Sequence, residues 1–588
     1  MFDKVYFDQI SFDGSATPDI VSYQAHLTAI SRTPVTLVVM TLDFCGRTFG
    51  VSPCLATGTP CYNTFPTCKY KSAYLKTTKD YKFTSANAPL PFNGNERPYL
   101  KSVRYLPTEI KDNLTINARV SLEFDDEPDT DVGIDPYVSQ RPSVQGTFWK
   151  KLLTRNRNYK GREVKIYEGF LGLAEADFQQ KWIGVIDNIS IDDTVRIETK
   201  DLLKKLSDIE VPPKLDIKLV ADIDTTATEM TLTTVAGLDS PSGYIRMKDE
   251  IIYYTGVNTS TNQLTGLQRG YFSTVPDNHK TNDKIQKVRY YPPANPFNIL
   301  KEMLSVDAGI SSSYIDATAF DYWRDWPGGE VNFSAIISEP TKLDKLYFEI
   351  IDLIDCKSWI AEDLKITIRR NIPNEPDRPY FVITDEANII HDSASVDLNE
   401  KSRLTRILLY WDKTVLGKID EIKEYNRLDV AIDADAESVN EYNEVIEKKI
   451  FCRWLRSGYM QEELLSQFVK NTIIRQLFRQ RNAQPLLTCD VELKDSDIKT
   501  GSYCRVTTDE VLNTDGTELN NEIFQTVKRN FKGNKINLIL LKLPSERFCF
   551  IAPNTTPAYD SASDAEKEYG FITDNNGLID GKPGYYIW

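Results

Sequence analysis

Cys45, Cys54, Cys61 and Cys68 lie in one stretch, CGRTFGVSPCLATGTPCYNTFPTC, with the spacing Cys-x8-Cys-x6-Cys-x6-Cys. Thiolates bind soft and borderline metals, and four of them complete a tetrahedral zinc site or anchor an iron–sulfur cluster. Structural zinc sites favour a tight pair of cysteines two to four residues apart, and this stretch has none. Cluster ligands tolerate wider separations, because each binds a different iron. Phe44, Phe49, Tyr62 and Phe65 stand beside or between the cysteines and can exclude water, while Gly46, Gly50 and Gly58 permit tight turns. Disulfides and plain thiols are the alternatives. The opening residues, MFDKVYFDQISFDGSATPDI, show no basic segment followed by an apolar one, so the expectation is a soluble protein made in the cytosol, where thiols stay reduced. A metal here is expected to be structural: the stretch is loop-rich and short of apolar residues, so a metal core can organise it.

Other chemistry is thinly represented. His26, His279 and His391 are the only histidines, which removes most routes to Ser-His-Asp or Cys-His catalysis. No H-E-x-x-H, G-x-S-x-G or papain-like pattern occurs, and no carboxylate pair stands out among 85 acidic residues. No catalytic residue is assigned and the chain is expected not to be an enzyme. The run EFDDEPDTDVGID offers Asp125, Glu127, Asp129 and Asp131 as a candidate cation loop, although it lacks the ligand order of an EF-hand. Its plainer reading is a solvated or intersubunit acidic loop. His279 is expected to bond within its own turn, and Trp323 and Trp326 to cover a core edge. Cys489 and Cys504 alternate with apolar neighbours and read as core residues. The formal charge of −15 argues against a surface that grips nucleic acid.

The elements that must position these groups are mainly strands. TPVTLVVMTLDF, REVKIYEGF and KWIGVIDNISI are strand-like, and NLTINARVSLEF alternates strictly from Leu114 to Phe124. NPFNILKEMLSVDAG reads as a helix capped by Asn295 and stopped at Gly309. TKLDKLYFEIIDLIDC and QEELLSQFVKNTIIRQLFRQR are further helices, the first the most clearly amphipathic. The fold class is therefore mainly β (α+β), with several β-barrel or tube-like domains, a few packed helices and a small inserted β-module. The anticipated divisions are 1–100 with the cysteine loop, 101–212, the module at 213–290, an α+β stretch at 291–400, a C-terminal β-barrel with a helix at 401–545, and an extended arm at 546–588. No segment is long and apolar enough to be read as a membrane span.

Three stretches in order resemble the central tail-hub (baseplate hub) proteins of long-tailed bacteriophages and gene transfer agents. They are CYNTFPTCKYKSAYLKTTKDYKFT, FDDEPDTDVGIDPYVSQRPSVQGTFWKKLLTRNRNYKGREVKIYEG, and SGYIRMKDEIIYYTGV…LTGLQRGYFSTVPDNHKTNDKIQ. The resemblance runs from about residue 45 to 400. It implies a homotrimer at the tail tip, joining the tail tube and its distal tail protein ring to a central fibre, next to the tape measure protein. It implies a virion component assembled in the host cytoplasm, past which DNA moves without specific binding during ejection. It also implies an iron–sulfur cluster, of the [4Fe-4S] kind, on Cys45, Cys54, Cys61 and Cys68, with zinc the alternative occupant. One departure is KYKSAY after Cys68, where the relatives are more acidic or amide-rich. The alternatives of another class are an iron–sulfur redox protein and a receptor- or carbohydrate-binding adhesin.

Overall fold

The computed structural model describes residues 33–543, apart from 86–95, 106–107, 110–118, 143–144, 326–330, 362, 372–379, 440, 459–461, 496, 514–515 and 533–534, together with 578–579 and 582–583. It is mainly β, with several sheets and few helices. Two compact units emerge, one of residues 1–106 and 118–205, the other of 107–117 and 206–588.

The first unit is a closed seven-stranded barrel. Its strands are β1 (Pro34–Cys45), β2 (Lys76–Ser85), β3 (Glu96–Tyr105), β4 (Arg119–Phe124), β5 (Glu163–Phe170), β6 (Gln179–Ile191) and β7 (Val195–Lys200). Their order is β1-β2-β3-β4-β7-β6-β5, and β5 returns to β1. Only the β2–β3 pair is parallel. Strands from both sides of residue 100 thus close one barrel. The alternation read in the sequence puts Val120, Leu122 and Phe124 inside, while Leu114 to Ala118 lie outside the described residues. Register aligns Val38 with Phe83 and Ile166, and Leu122 with Ile197, all without exposure. The interior is packed with side chains, as small barrels are. Helix α1 (Phe148–Arg155) adds Phe148 and Trp149, which pack against Phe83 and Phe124.

In the second unit, residues 217–285 build the small module from two sheets around one apolar core that includes Ile245, Met247, Ile252, Tyr254 and Leu264. His279 keeps one contact within its own turn, Nδ1 to Asp283 at 3.8 Å, but its hydrogen bond goes elsewhere. Its Nε2 meets Glu250 Oε2 at 2.7 Å, and Glu250 also takes Arg269 through both oxygens, at 2.8 and 2.7 Å. Helix α2 (Pro296–Glu302) starts where Asn295 accepts the Phe297 N–H at 3.0 Å, and the following turn ends at Gly309 with φ 61°. Helix α3 (Leu343–Leu353) buries Leu343, Leu346, Tyr347, Ile350 and Ile351, the face its periodicity predicts. Trp323 is buried in the core; Trp326 lies outside the described residues.

Six strands between Phe381 and Lys542, joined by Thr108–Glu109, form a seven-stranded sheet, with α4 (Glu462–Gln480) packed beside a separate three-stranded one. The sequence suggested a barrel here. Phe381–Thr384 and Ser395–Asn399 end the sheet without pairing to each other, so it stays open. Cys489 and Cys504 sit in its core, where burial pushes both thiols up to about 12. Among the described residues no helix is long and apolar enough to cross a membrane.

Candidate metal centre

Cys45 is the last residue of β1 and pairs with Lys76, the first of β2. Residues 46–75 therefore leave and rejoin the barrel at a single rung, and they carry Cys54, Cys61 and Cys68. The segment has almost no regular structure. Its turns rest on residues that tolerate left-handed backbone: Gly50 (φ 75°), Gly58 (φ 80°) and Asn63 (φ 54°).

The turns bring the four thiols together. Cys45, Cys54 and Cys61 are buried, Cys68 is half-buried, and none is in a disulfide. Burial pushes the Cys61 thiol up, the Asn63 N–H opposes this, and neighbouring Cys68, Cys45 and Cys54 push it further. Each of the other three is thus close enough to Cys61 to act on its charge. The sulfurs are nonetheless spread. A zinc ion with bonds of about 2.3 Å gathers four sulfurs within about 3.8 Å of one another. Among the described residues only His391, Asp392 and Glu510 bring three ligand atoms within 4.8 Å, so no three of these sulfurs lie that close.

Cys45 and Cys61 are held firmly. The Cys45 N–H donates to the Asn63 carbonyl at 2.7 Å, and Asn63 Nδ2 donates back to the carbonyls of Cys45 (2.9 Å) and Arg47 (3.1 Å). Beside Cys61, Arg141 donates to the carbonyls of Pro60 and Cys61, at 2.5 and 2.6 Å. Cys54 and Cys68 hang on single backbone bonds, to Val51 (2.8 Å) and Phe65 (3.2 Å).

The aromatic residues around the thiols have distinct partners. Tyr62 lies between two guanidinium groups, Arg141 at 4.0 Å and Arg155 at 3.9 Å from its ring centre. Phe49 meets Tyr137 edge-on at 6.2 Å, and the Phe49 N–H donates to the Tyr137 hydroxyl at 2.8 Å. Phe65 packs edge-on against Tyr74 at 5.1 Å, and Lys79 covers Phe44. The Tyr74 hydroxyl and Arg47 Nε are buried without a hydrogen-bond partner. Burial, with Asp43, Cys45 and Cys68 nearby, pushes Tyr74 up to about 12. Buried donors left unsatisfied are costly. An anionic metal–thiolate centre would give the Tyr74 hydroxyl, which already lies near Cys45 and Cys68, an acceptor, and four free thiols beside such a donor fit that group.

The acidic loop lies beside this segment, and its carboxylates face the chain's own cations. Asp125 pairs with Lys101 at 3.2 Å. Glu127 is exposed, while its carbonyl accepts the Phe148 N–H at 2.8 Å. Burial would raise Asp129, but Arg97 at 2.8 Å, the Asp131 N–H and the Tyr99 hydroxyl hold it below its ordinary range. Buried Asp131 meets Lys151 at 3.2 Å and Arg155 at 3.0 Å, and Asp135 meets Arg141 at 2.6 Å. The sequence reading passed over Arg141, Arg155 and Asn63. Asn63 could have been flagged, since Asn tolerates left-handed backbone more readily than most residues. The two arginines carry no local signal.

Exposed His391 and Asp392 group with half-buried Glu510, which already accepts the N–H groups of Asp392 and Ala394 at 2.8 and 3.0 Å.

No family model matches the chain, and no curated protein does. Among solved structures, it is similar to the tail protein from Neisseria meningitidis MC58 (10% identity, TM-score 0.32, covering 76% of this chain and 96% of that one). The 43 kDa tail protein of prophage MuSo2 from Shewanella oneidensis gives 8% identity and a TM-score of 0.33, over 75% of this chain and 92% of that one. A chain of the virion of a native gene transfer agent particle gives 8% and 0.29, over 76% and 81%. TM-scores at this level fall short of a shared fold, so function is argued from the chain's own residues.

Proposed function

We propose that this chain is a structural component of a bacteriophage tail: the baseplate hub at the tail tip, carrying an iron–sulfur cluster on Cys45, Cys54, Cys61 and Cys68. The observation that carries the reading is the gathering of four free thiols where one segment leaves and rejoins a closed barrel, beside the unpaired buried hydroxyl of Tyr74. A cluster is preferred to a single zinc because the Cys-x8-Cys-x6-Cys-x6-Cys spacing lacks the close cysteine pair that structural zinc sites favour. When bound, the cluster supplies four metal–thiolate bonds that tie the turns of residues 46–75 together. The chain's residues do the rest: Asn63 fixes the Cys45 end, Arg141 fixes the Cys61 end, and the aromatic rings limit access of water.

A hub must also let DNA pass. The barrel interior is filled by Val38, Phe83, Leu122, Phe124 and Ile166, so a channel has to lie between copies of the chain, and the proposal requires assembly. Three copies would join the distal tail ring to the central fibre, and a net charge of −15 per chain would repel passing phosphates. Light scattering on the purified chain tests this. The expected mass is three times 67.1 kDa; a monomer at micromolar concentration contradicts the hub reading.

A further inference from the structure

Between the cysteine segment and the acidic loop runs a continuous set of contacts that neither a cation loop nor a solvated surface explains. Arg141 Nε binds Asp135 at 2.6 Å, and the two side chains are only 6% and 1% exposed. The same guanidinium donates to the carbonyls of Pro60 and Cys61 and stands 4.0 Å from the Tyr62 ring centre. Arg155, at the end of α1, stands 3.9 Å from the same ring centre and is fixed by Asp131 at 3.0 Å; two guanidinium groups this close over one ring fit only on its opposite faces. Lys151, one turn earlier on α1, reaches both Asp131 and the Asp129 carbonyl. The Tyr62 N–H donates to Thr67 Oγ1 at 3.1 Å, which carries the restraint toward Cys68.

We infer that Arg141 and Arg155 are positioning residues for the metal centre: they clamp Tyr62 from both faces and so fix where the Cys61 sulfur stands. The acidic loop is then the clamp's anchor, with Asp131 and Asp135 orienting the two guanidinium groups. This inference rests on the cluster reading for its function but not for its geometry. Outer partners that orient a metal ligand typically change metal retention 10–100-fold when removed. A planar guanidinium can donate to two carbonyls, bind a carboxylate and stack on a ring together, which an ammonium cannot.

The test uses the full chain purified without oxygen, as wild type, Arg141→Ala, Arg141→Lys and Tyr62→Leu. Tyr62→Leu removes the ring and leaves both ion pairs. Two rates are read: release of metal to an added chelator, and alkylation of Cys61 followed by mass spectrometry, with buried Cys489 and Cys504 as folding references. Arg141→Ala and Tyr62→Leu should release metal about 10–100-fold faster, and Arg141→Lys should not restore retention. Release at the wild-type rate in both overturns the clamp. If the wild-type chain carries no metal, the cluster reading fails, and alkylation still decides the clamp. Cys61 alkylated at least about tenfold faster in the variants, with Cys489 and Cys504 unchanged, supports it; unchanged Cys61 overturns it.

Discussion

Residues 46–75 and the module at 217–285 are both made of short pieces joined by turns, yet they hold their shape by opposite means. The module has an apolar core of Ile245, Met247, Ile252, Tyr254, Leu264 and their neighbours, and a single buried carboxylate, Glu250, tied to Arg269 and His279. The cysteine segment buries Cys54, Ala56, Cys61, Asn63 and Thr64, while Val51 and Leu55 are 57% and 63% exposed. Burial of apolar surface at roughly 25 cal/mol per Å² can order the module. It does little to order the segment, where Val51, Leu55 and Phe65 are exposed. One region is held by ordinary hydrophobic packing around an ionic knot. The other depends on backbone links, the arginine clamp and, on the reading proposed above, metal–thiolate bonds.

This contrast can be sharpened by breaking the knot alone. Glu250 is fully buried and accepts hydrogen bonds from Arg269, Gly270 and Asp277, beside His279. Glu250→Ala strands buried Arg269 and His279 and should destabilise the module by about 3–5 kcal/mol. Urea unfolding followed by hydrogen exchange at Ile252 and Leu264 would read this, while exchange at Cys45 and Asn63 should stay as in wild type. A smaller, graded effect should come from acid. Burial would raise the Glu250 carboxyl, but His279, Arg269 and the two N–H groups outweigh it and hold it at about 2, against 4.5 for an ordinary glutamate. Because the folded value is the lower one, the stabilisation is fully present above about pH 4.5 and is lost as pH falls toward about 2, to a total of about 3 kcal/mol. The difference in urea midpoint between wild type and Glu250→Gln should therefore shrink as pH falls from about 4.5 toward about 2. A constant difference down to about pH 3 would show that the ionised carboxylate is not what holds the module.

What could be read from the sequence follows the same division. The apolar periodicities of α3 and β4, the Asn295 cap and the buried alternation at Cys489 and Cys504 are local patterns, and each is realised where the residues place it. Barrels were expected, but which strands close one was not legible, because β1 pairs with β5 more than a hundred residues away and no local pattern encodes that register. The four cysteines announced themselves by type and spacing. Their surroundings did not: Arg141 reaches Cys61 across 80 residues. The acidic run invited a cation, whereas folding brings Arg97, Arg141, Lys151 and Arg155 to Asp129, Asp131 and Asp135. His279 suggested a local turn bond, but its partner, Glu250, lies 29 residues back on a neighbouring strand. Polar sites assembled from distant segments escape periodicity because charge pairs carry no spacing rule.

The central claim is that a metal–thiolate centre organises residues 46–75, and composition tests it most directly. The full chain, purified anaerobically as wild type and as Cys61→Ser, should be analysed for iron, acid-labile sulfide and zinc alongside its absorption spectrum. The account predicts iron and sulfide with a broad band at about 400 nm in the wild type, all lost in Cys61→Ser. A folded wild-type chain with neither iron nor sulfide would contradict it.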